Sequence, residues 1–305
     1  MLVSIVVPAY NERENIPEFV RLCDEMIKNA PFDGELIIVD DGSSDGTGEI
    51  SEESAKEYSF VRVFHHTRNR GLTAALETGF SEAKGEILIF FPADLQYLPE
   101  EIPQMIETME REELDIVCGW KEGKYRKKFV SSIYNHLARK FFDIDIHDMN
   151  SVKAFRREVV EAIPFRKDWH RYVIPFAADA GFRIGEVRVK LHERRWGKSK
   201  FKGPSRVLVG VLDLFAVKFQ ITFMKKPMIF FGTIGMILLL LGFIAGIVAL
   251  ILRYGYGTGY RPLLYLIMLL VLSGMLLFIV GFLAEAIAGV NSRLSSIEKR
   301  LKKKE

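Results

Sequence analysis

The sequence predicts an α/β chain in which a doubly wound domain on a mainly parallel sheet is followed by two membrane-spanning helices. Three observations carry this. Short apolar runs alternate with helical patterns from Leu2 to Cys118, polar and acidic residues recur just beyond those runs, and two long uncharged stretches stand near the C-terminus.

Leu2 to Pro8 (LVSIVVP) opens as a strand. Asn15 to Asn29 follows as an amphipathic helix, with Ile16, Phe19, Val20, Cys23, Met26 and Ile27 on one face and Pro17 suited to the first turn. Leu36 to Asp40 is a second buried strand; beyond DDGSSDGT, Gly48 to Tyr58 reads as an exposed helix. Val61 to Phe64 is a third strand, and Leu72 to Ala83 a helix whose small residues permit close packing on a sheet. Ile87 to Phe91 is too short for an ordinary helix and rich in strand formers, so it reads as a buried parallel strand ending at Pro92. A helix near Glu100 to Arg111 and a short strand, Asp115 to Cys118, come next.

After Gly119 the pattern changes. A basic run, KEGKYRKK, precedes a helix expected over Phe129 to Phe142, and strands are expected at Ser151 to Phe155 and Gly185 to Leu191. From Pro204 to Phe223, apolar residues fall at helical spacing, which suits either the membrane interface or packing on the globular domain.

Met228 to Leu252 is 25 residues without a charge and Leu263 to Ala284 is 22 more, each at or above the ~20 needed to cross a bilayer. The expected organisation is a globular domain over 1–203, an amphipathic segment over 204–226, two spans near 228–252 and 262–284, and a basic tail over 286–305. Lys225 and Lys226 precede the first span, and Arg293, Lys299, Arg300, Lys302, Lys303 and Lys304 follow the second. Both ends are therefore expected in the cytoplasm. The opening residues lack the order of a signal peptide, so none is expected. The location read from this is the plasma membrane of a prokaryote.

A net charge of +3 is too small to argue for nucleic acid, and the basic tail better suits anionic lipid headgroups. Cys23 and Cys118 sit inside apolar patterns and read as reduced core thiols. Oligomeric state is open between a monomer and a homo-oligomer.

Three familiar motifs are nearly present and fail on context. Asp41, Ser43, Asp45, Gly46 and Glu52 match calcium-loop spacing, but a strand feeds the loop and Gly48 holds the usual apolar position. Gly197, Lys198 and Ser199 end like a P-loop, yet His192 stands where its first Gly belongs. The six His never fall at zinc-ligand spacing. What remains is a set of residues at strand ends: Pro8, Tyr10, Asn11 and Glu12 after the first, Asp40 and Asp41 after the second, Asp94 and Gln96 after the fourth. A carboxylate capping the next turn would explain any one of them. Jointly they suit one rim of a parallel sheet, where a nucleotide could lie with a divalent ion on Asp94 bridging its diphosphate.

VPAYNERENI, IIVDDGSSDGT, NRGLTAALETGF, PADLQ and RRWGKSK resemble family 2 glycosyltransferases of the GT-A fold, and among these the polyprenyl-phosphate sugar synthases, the dolichyl-phosphate mannose synthase and undecaprenyl-phosphate glucosyltransferase group. The resemblance implies that Pro8, Tyr10, Glu12, Asp40 and Asp41 hold the nucleotide and that Asp94 and Gln96 hold Mg²⁺ or Mn²⁺. It implies that Arg194, Ser199 and Lys200 close on the diphosphate, making Asp94, Arg194 and Lys200 the catalytic set, and that Lys121, Arg126, Lys127 and Ser131 bind the acceptor phosphate. Asp148 matches an acidic position of undefined role. The implied partners are a GDP- or UDP-linked sugar, a dolichyl or undecaprenyl phosphate and membrane lipid; the implied reaction is inverting transfer of one sugar.

One departure stands out. Most members read D-A-D-x-Q where this chain reads Pro92, Ala93, Asp94, Leu95, Gln96, so the first carboxylate is missing. Two rivals follow: a catalytically silent sugar-nucleotide or lipid-binding membrane protein, suggested by Pro92, and a processive polysaccharide synthase, suggested by Arg195 and Trp196. The second places His192 at that group's Gln and has only two spans for a polymer channel.

Overall fold

The computed structural model describes residues 1–122, 139, 141–163, 172–196, 205–223 and 226–302. They fall into two compact units, Met1–Val211 and Leu212–Glu305.

In the first unit, β1 (Leu2–Ala9), α1 (Ile16–Asn29), β2 (Asp33–Asp40), α2 (Thr47–Glu57), β3 (Val61–His65), α3 (Leu72–Glu82) and β4 (Ile87–Phe90) follow one another as short alternating elements. A 3₁₀ turn at Pro99–Glu101 leads into α4 (Ile102–Arg111), then come β5 (Ile116–Glu122), β6 (Lys153–Arg156), α5 (Arg157–Ala162), α6 (Val173–Asp179) and β7 (Ile184–Lys190). The helix expected over Phe129 to Phe142 lies largely outside the described residues, and α5 and α6 are additions to the elements expected from sequence.

The seven strands form one sheet in the order β3-β2-β1-β4-β6-β5-β7. Every pairing is parallel except those of β6, which runs antiparallel to both β4 and β5. Two reversals cancel, so β5 and β7 point the same way as β4. The carboxyl ends of six strands and the start of β6 therefore share one rim.

Both faces of this sheet are covered, which is why the central strands read as nearly unbroken apolar runs. Along β1, Val3, Ile5 and Val7 enter the core built with α1 and α4, while Val6 enters the opposite core with Ile37, Val39 and Leu76. At the amino-terminal ends of the central strands, opposite the rim, a polar knot fixes the sheet. Ser4 Oγ donates to Glu35 Oε1 at 2.6 Å and accepts from the Gly85 N–H at 2.7 Å, while the Lys84 N–H and Arg62 also donate to Glu35. Burial works against the Glu35 charge, but these donors outweigh it and hold its carboxyl below the usual range.

α3 packs on the sheet through Gly79. A Cβ there would stand 2.2 Å from Val6 Cγ1 and 3.3 Å from Val39 Cγ2, so only glycine permits this approach.

The second unit is helical. α7 (Ser205–Phe223) enters it with Leu214 and Val217 buried and Leu212, Phe215 and Phe219 exposed. α8 (Pro227–Gly255) and α9 (Arg261–Lys302) are each long and apolar enough to cross a membrane. They cross closely because Gly235 and Gly274 face each other: a Cβ on either would stand 2.8 Å from the other's carbonyl oxygen. Glycine at both positions is the small-residue packing that brings membrane helices together. Glu285 of α9 accepts the Met228 N–H at 3.1 Å, serving one of the unpaired donors at the start of α8. α9 then continues through Lys302, into the stretch read from sequence as a separate tail.

Replacing Gly79 with Ala overpacks the α3–sheet contact. The expected cost is about 1–3 kcal/mol, seen as a melting temperature lower by several degrees in the detergent-solubilised chain.

Candidate functional site

The rim is built first by the loops after β1 and β2. Asn11 adopts a left-handed backbone, φ 54°, and its N–H donates to Ser43 Oγ at 2.9 Å while its Oδ1 accepts the Ser44 N–H at 2.9 Å. The Glu12 N–H donates to Thr47 Oγ1 at 2.8 Å and the Arg13 N–H to Asp45 Oδ2 at 3.2 Å. In the calcium-like loop, Asp45 Oδ1 accepts from the N–H and the hydroxyl of Thr47. Its oxygens serve the turn.

The two aspartates after β2 differ in what they hold. Asp40 accepts the Ser43 N–H at 3.0 Å and lies 3.3 Å from His65 Nδ1. Asp41, 3% exposed, accepts the N–H groups of Arg70 and Gly71, both at 2.8 Å, and bonds His66 Nδ1 at 2.7 Å. His66 Nε2 in turn meets Thr78 Oγ1 at 2.9 Å. Asp41 thus fastens the whole 66–71 turn, which approaches so closely that a Cβ at Gly42 would lie 2.5 Å from the Arg68 carbonyl carbon. His65 also pairs with Glu52 at 2.8 Å, and this contact with that to Asp40 raises its pKa.

After β4 the chain turns at Leu95, another left-handed residue with φ 55°. Asp94 Oδ1 accepts the Gln96 N–H at 3.2 Å, and Oδ2 accepts from Arg194 Nη2. Arg194 Nη1 stands 4.0 Å from Glu12 Oε1, so one guanidinium lies between the carboxylates carried by β1 and β4. Burial pushes the Asp94 carboxyl up; Arg194 opposes that shift and Glu12 adds to it. Arg194 reaches the rim because the segment leaving β7 is tied down, the His192 N–H donating to the Gln96 carbonyl at 2.8 Å.

At the end of β5, on the same rim, Lys121 Nζ pairs with Asp148 Oδ2 at 3.0 Å. Asp148 is buried, and its loop is clamped by His147, which bonds Glu186 and stacks on Trp120 with ring centroids 4.0 Å apart. The position left undefined by sequence is the counterion of a candidate phosphate-binding lysine. Of the other expected acceptor and diphosphate residues, Arg126, Lys127, Ser131, Ser199 and Lys200 lie outside the described residues.

Two further groups were missed by the sequence reading. Lys153, 2% exposed, opens β6 on this rim, donating to the Ser151 carbonyl at 2.8 Å and lying 5.8 Å from the Phe90 ring centroid. Its only sequence signal is a lone Lys inside SVKAF. His192 holds a buried Nε2 with no hydrogen-bond partner among the described residues.

No group of three His, Cys, Asp or Glu side chains among the described residues forms a ready metal cage. The donor set at Asp94 and Gln96 nevertheless suits a hard divalent cation that keeps water and phosphate oxygens in its shell, because such ions bind through one or two carboxylates. The guanidinium held on Asp94 marks this as a place that already accommodates positive charge.

Residues 4–163 match the model of glycosyl transferase family 2. The chain is 33% identical over 299 residues to a dodecaprenyl-phosphate galacturonate synthase of Rhizobium johnstonii, covering 94% of this chain and 87% of that protein. It is 29% identical to an undecaprenyl-phosphate 4-deoxy-4-formamido-L-arabinose transferase of Pseudomonas fluorescens, over 85% of this chain and 75% of the relative. Among solved structures it resembles glucosyl-3-phosphoglycerate synthase of Mycobacterium tuberculosis in complex with Mn²⁺, UDP and glucosyl-3-phosphoglycerate. That match has a TM-score of 0.57 at 19% identity, covering 72% of this chain and 79% of that one. The fold is accordingly GT-A-like, a mostly parallel α/β sheet followed by two apolar helices.

Two outcomes follow from this geometry. Asp41→Ala leaves buried N–H groups without an acceptor, and the ligand-free protein is expected to lose at least about 1–3 kcal/mol, measured by thermal unfolding. His65 titrates above its ordinary ~6.5 when folded. Its contribution to stability is therefore full below that value and lost as pH rises through the raised one. His65→Gln is expected to flatten the fall in melting temperature as pH rises above ~6.5.

Proposed function

The chain belongs to glycosyl transferase family 2, and on that premise we propose that it moves one sugar from a nucleoside diphosphate sugar to a polyprenyl phosphate at the cytoplasmic face of a membrane. The observation that carries this reading is the reach of the likeness to the Rhizobium synthase, which runs through the sheet domain and both apolar helices. A likeness confined to the nucleotide-binding half would speak only for the donor.

In this reading Pro8, Tyr10, Glu12 and Asp40 hold the nucleotide, and Asp41 acts from behind them by fixing residues 66–71. Asp94 and Gln96 would hold Mg²⁺ or Mn²⁺, which when bound neutralises charge on the departing nucleoside diphosphate. Arg194, with Ser199 and Lys200, closes on the same phosphates. Lys121, steadied by Asp148, meets the acceptor phosphate together with Arg126, Lys127 and Ser131. Lys153 adds positive potential between the donor and acceptor ends of the rim.

The acceptor needs no general base. A phosphate monoester has a second pKa near ~6 and is mostly dianionic at neutral pH. One of its oxygens attacks the anomeric carbon from the face opposite the leaving group. The C–O bond to the nucleoside diphosphate breaks and the configuration inverts. Arg194 and Lys200 stabilise the charge that gathers on the leaving oxygen, the largest demand of the step. The basic residues flanking the apolar helices support placing both chain ends in the cytoplasm, and the hairpin keeps the domain tethered to the bilayer that holds the polyprenyl chain.

The test is incubation of the purified full chain with UDP- and GDP-linked sugars, polyprenyl phosphate and Mn²⁺ or Mg²⁺. A lipid carrying one sugar is expected; polymer, or donor binding without transfer under every condition, would sink the reading. Asp94→Ala is expected to lower the transfer rate by about 100-fold or more, and full activity in that variant would remove Asp94 from the metal role.

A further inference from the structure

Among the described residues, the two arginines at the turn of the helical hairpin, Arg253 and Arg261, form no ion pair. No Asp or Glu stands between Asp213 and Glu285, and Glu285 is engaged at the hairpin's open end, where it accepts the Met228 N–H. Arg253 lies in the last turn of α8 and Arg261 opens α9, so both stand at the connection. On the reading that α8 and α9 cross the bilayer, this connection lies on the side away from the hairpin's open end.

The connection is folded so that the two arginines flank one space. The Thr258 N–H and hydroxyl both donate to the Leu252 carbonyl, at 3.0 and 3.3 Å, and Gly257 supplies the left-handed turn, φ 65°, that brings them back. This bond pair caps α8 and lays Gly259, Tyr260 and Arg261 beside Ala249, Leu252 and Arg253. Between them is a cavity of about 160 Å³ with both arginines in its wall, well above what a single water needs.

Depth and charge choose the ligand. The 25 uncharged residues from Met228 to Leu252 rise about 38 Å at ~1.5 Å per residue, against a hydrocarbon core of about 30 Å. Arg253 therefore emerges among lipid headgroups, the layer that the exposed Tyr254, Tyr256, Tyr260 and Tyr265 also mark. The fixed negative charges of that layer are phosphodiesters, whose oxygens match the fork of N–H donors on a guanidinium. A zwitterionic headgroup carries its own cation into a space that already holds two. An anionic headgroup does not.

We propose that the cavity between Arg253 and Arg261 binds the phosphodiester headgroup of one anionic phospholipid, in the leaflet farther from the hairpin's open end.

The full chain is titrated in detergent with phosphatidylglycerol or phosphatidylcholine, and bound lipid is counted by native mass spectrometry. One phosphatidylglycerol per chain is expected to be held at least about ten times more tightly than phosphatidylcholine. Arg253→Gln and Arg261→Gln are each expected to weaken it about ten-fold. Lys226→Gln, the same loss of charge at the hairpin's open end, is expected to leave it unchanged. Both guanidiniums are exposed, so the variants are expected to melt with the unmodified chain when no lipid is added. Equal retention of the two phospholipids, an equal loss in Lys226→Gln, or displacement of the bound phosphatidylglycerol by equimolar polyprenyl phosphate would overturn the proposal. The crossing is tested separately. With Cys23 and Cys118 buried, Tyr256→Cys is expected to react with an impermeant maleimide from outside intact cells. Reaction only in inverted vesicles would overturn the crossing and the leaflet assigned to the site, whereas lost lipid selectivity with outside labelling intact overturns the site alone.

Discussion

Three loops of the candidate rim meet at one part-buried contact, the Arg194 guanidinium between Asp94 and Glu12. Two carboxylates this close and this dry repel each other, and burial already drives the Asp94 pKa upward. The guanidinium counters both effects. It also ties the segment after β7 to the loops after β4 and β1, so residues nearly two hundred positions apart in sequence meet at one place. Removing one member of such a largely desolvated set leaves the others uncompensated, which costs more than the pair contributes.

A second layer holds this contact in position. Asn11 and Leu95 take backbone conformations that non-glycine residues seldom adopt, and they sit one residue from Glu12 and Asp94 respectively. Such conformations persist where surrounding bonds fix them; here the Asn11 loop is stitched to Ser43, Ser44 and Thr47. Asp41 with His66 does the same for the turn that feeds α3. The rim is thus positioned by polar bonds between loops, and the loops by a sheet covered on both faces.

All seven strands were legible from sequence: β2 and β4 by apolar runs buried on both faces, β7 by the alternation of Val187 and Val189 with exposed Arg188 and Lys190. The direction of β6 was not legible, because its four residues read alike in either sense and only their neighbours decide. The same limit hid two rim residues. Lysine is so seldom buried that Lys153 in SVKAF carried no warning, and the bonds consuming Asp41 come from residues about thirty positions away. Asp94 and Arg194 were individually visible, but their contact spans a hundred residues. Asp148 was recognisable only as an acidic position until its partner was known.

Pro92 gains a meaning from the Arg194 contact. Glu12 and Asp94 around one guanidinium leave that cluster a single negative charge in excess. A carboxylate at position 92 would raise that excess to two and press further on Asp94. The proline therefore limits the negative charge gathered around the Arg194 guanidinium, so that one cation comes close to balancing the carboxylates it touches.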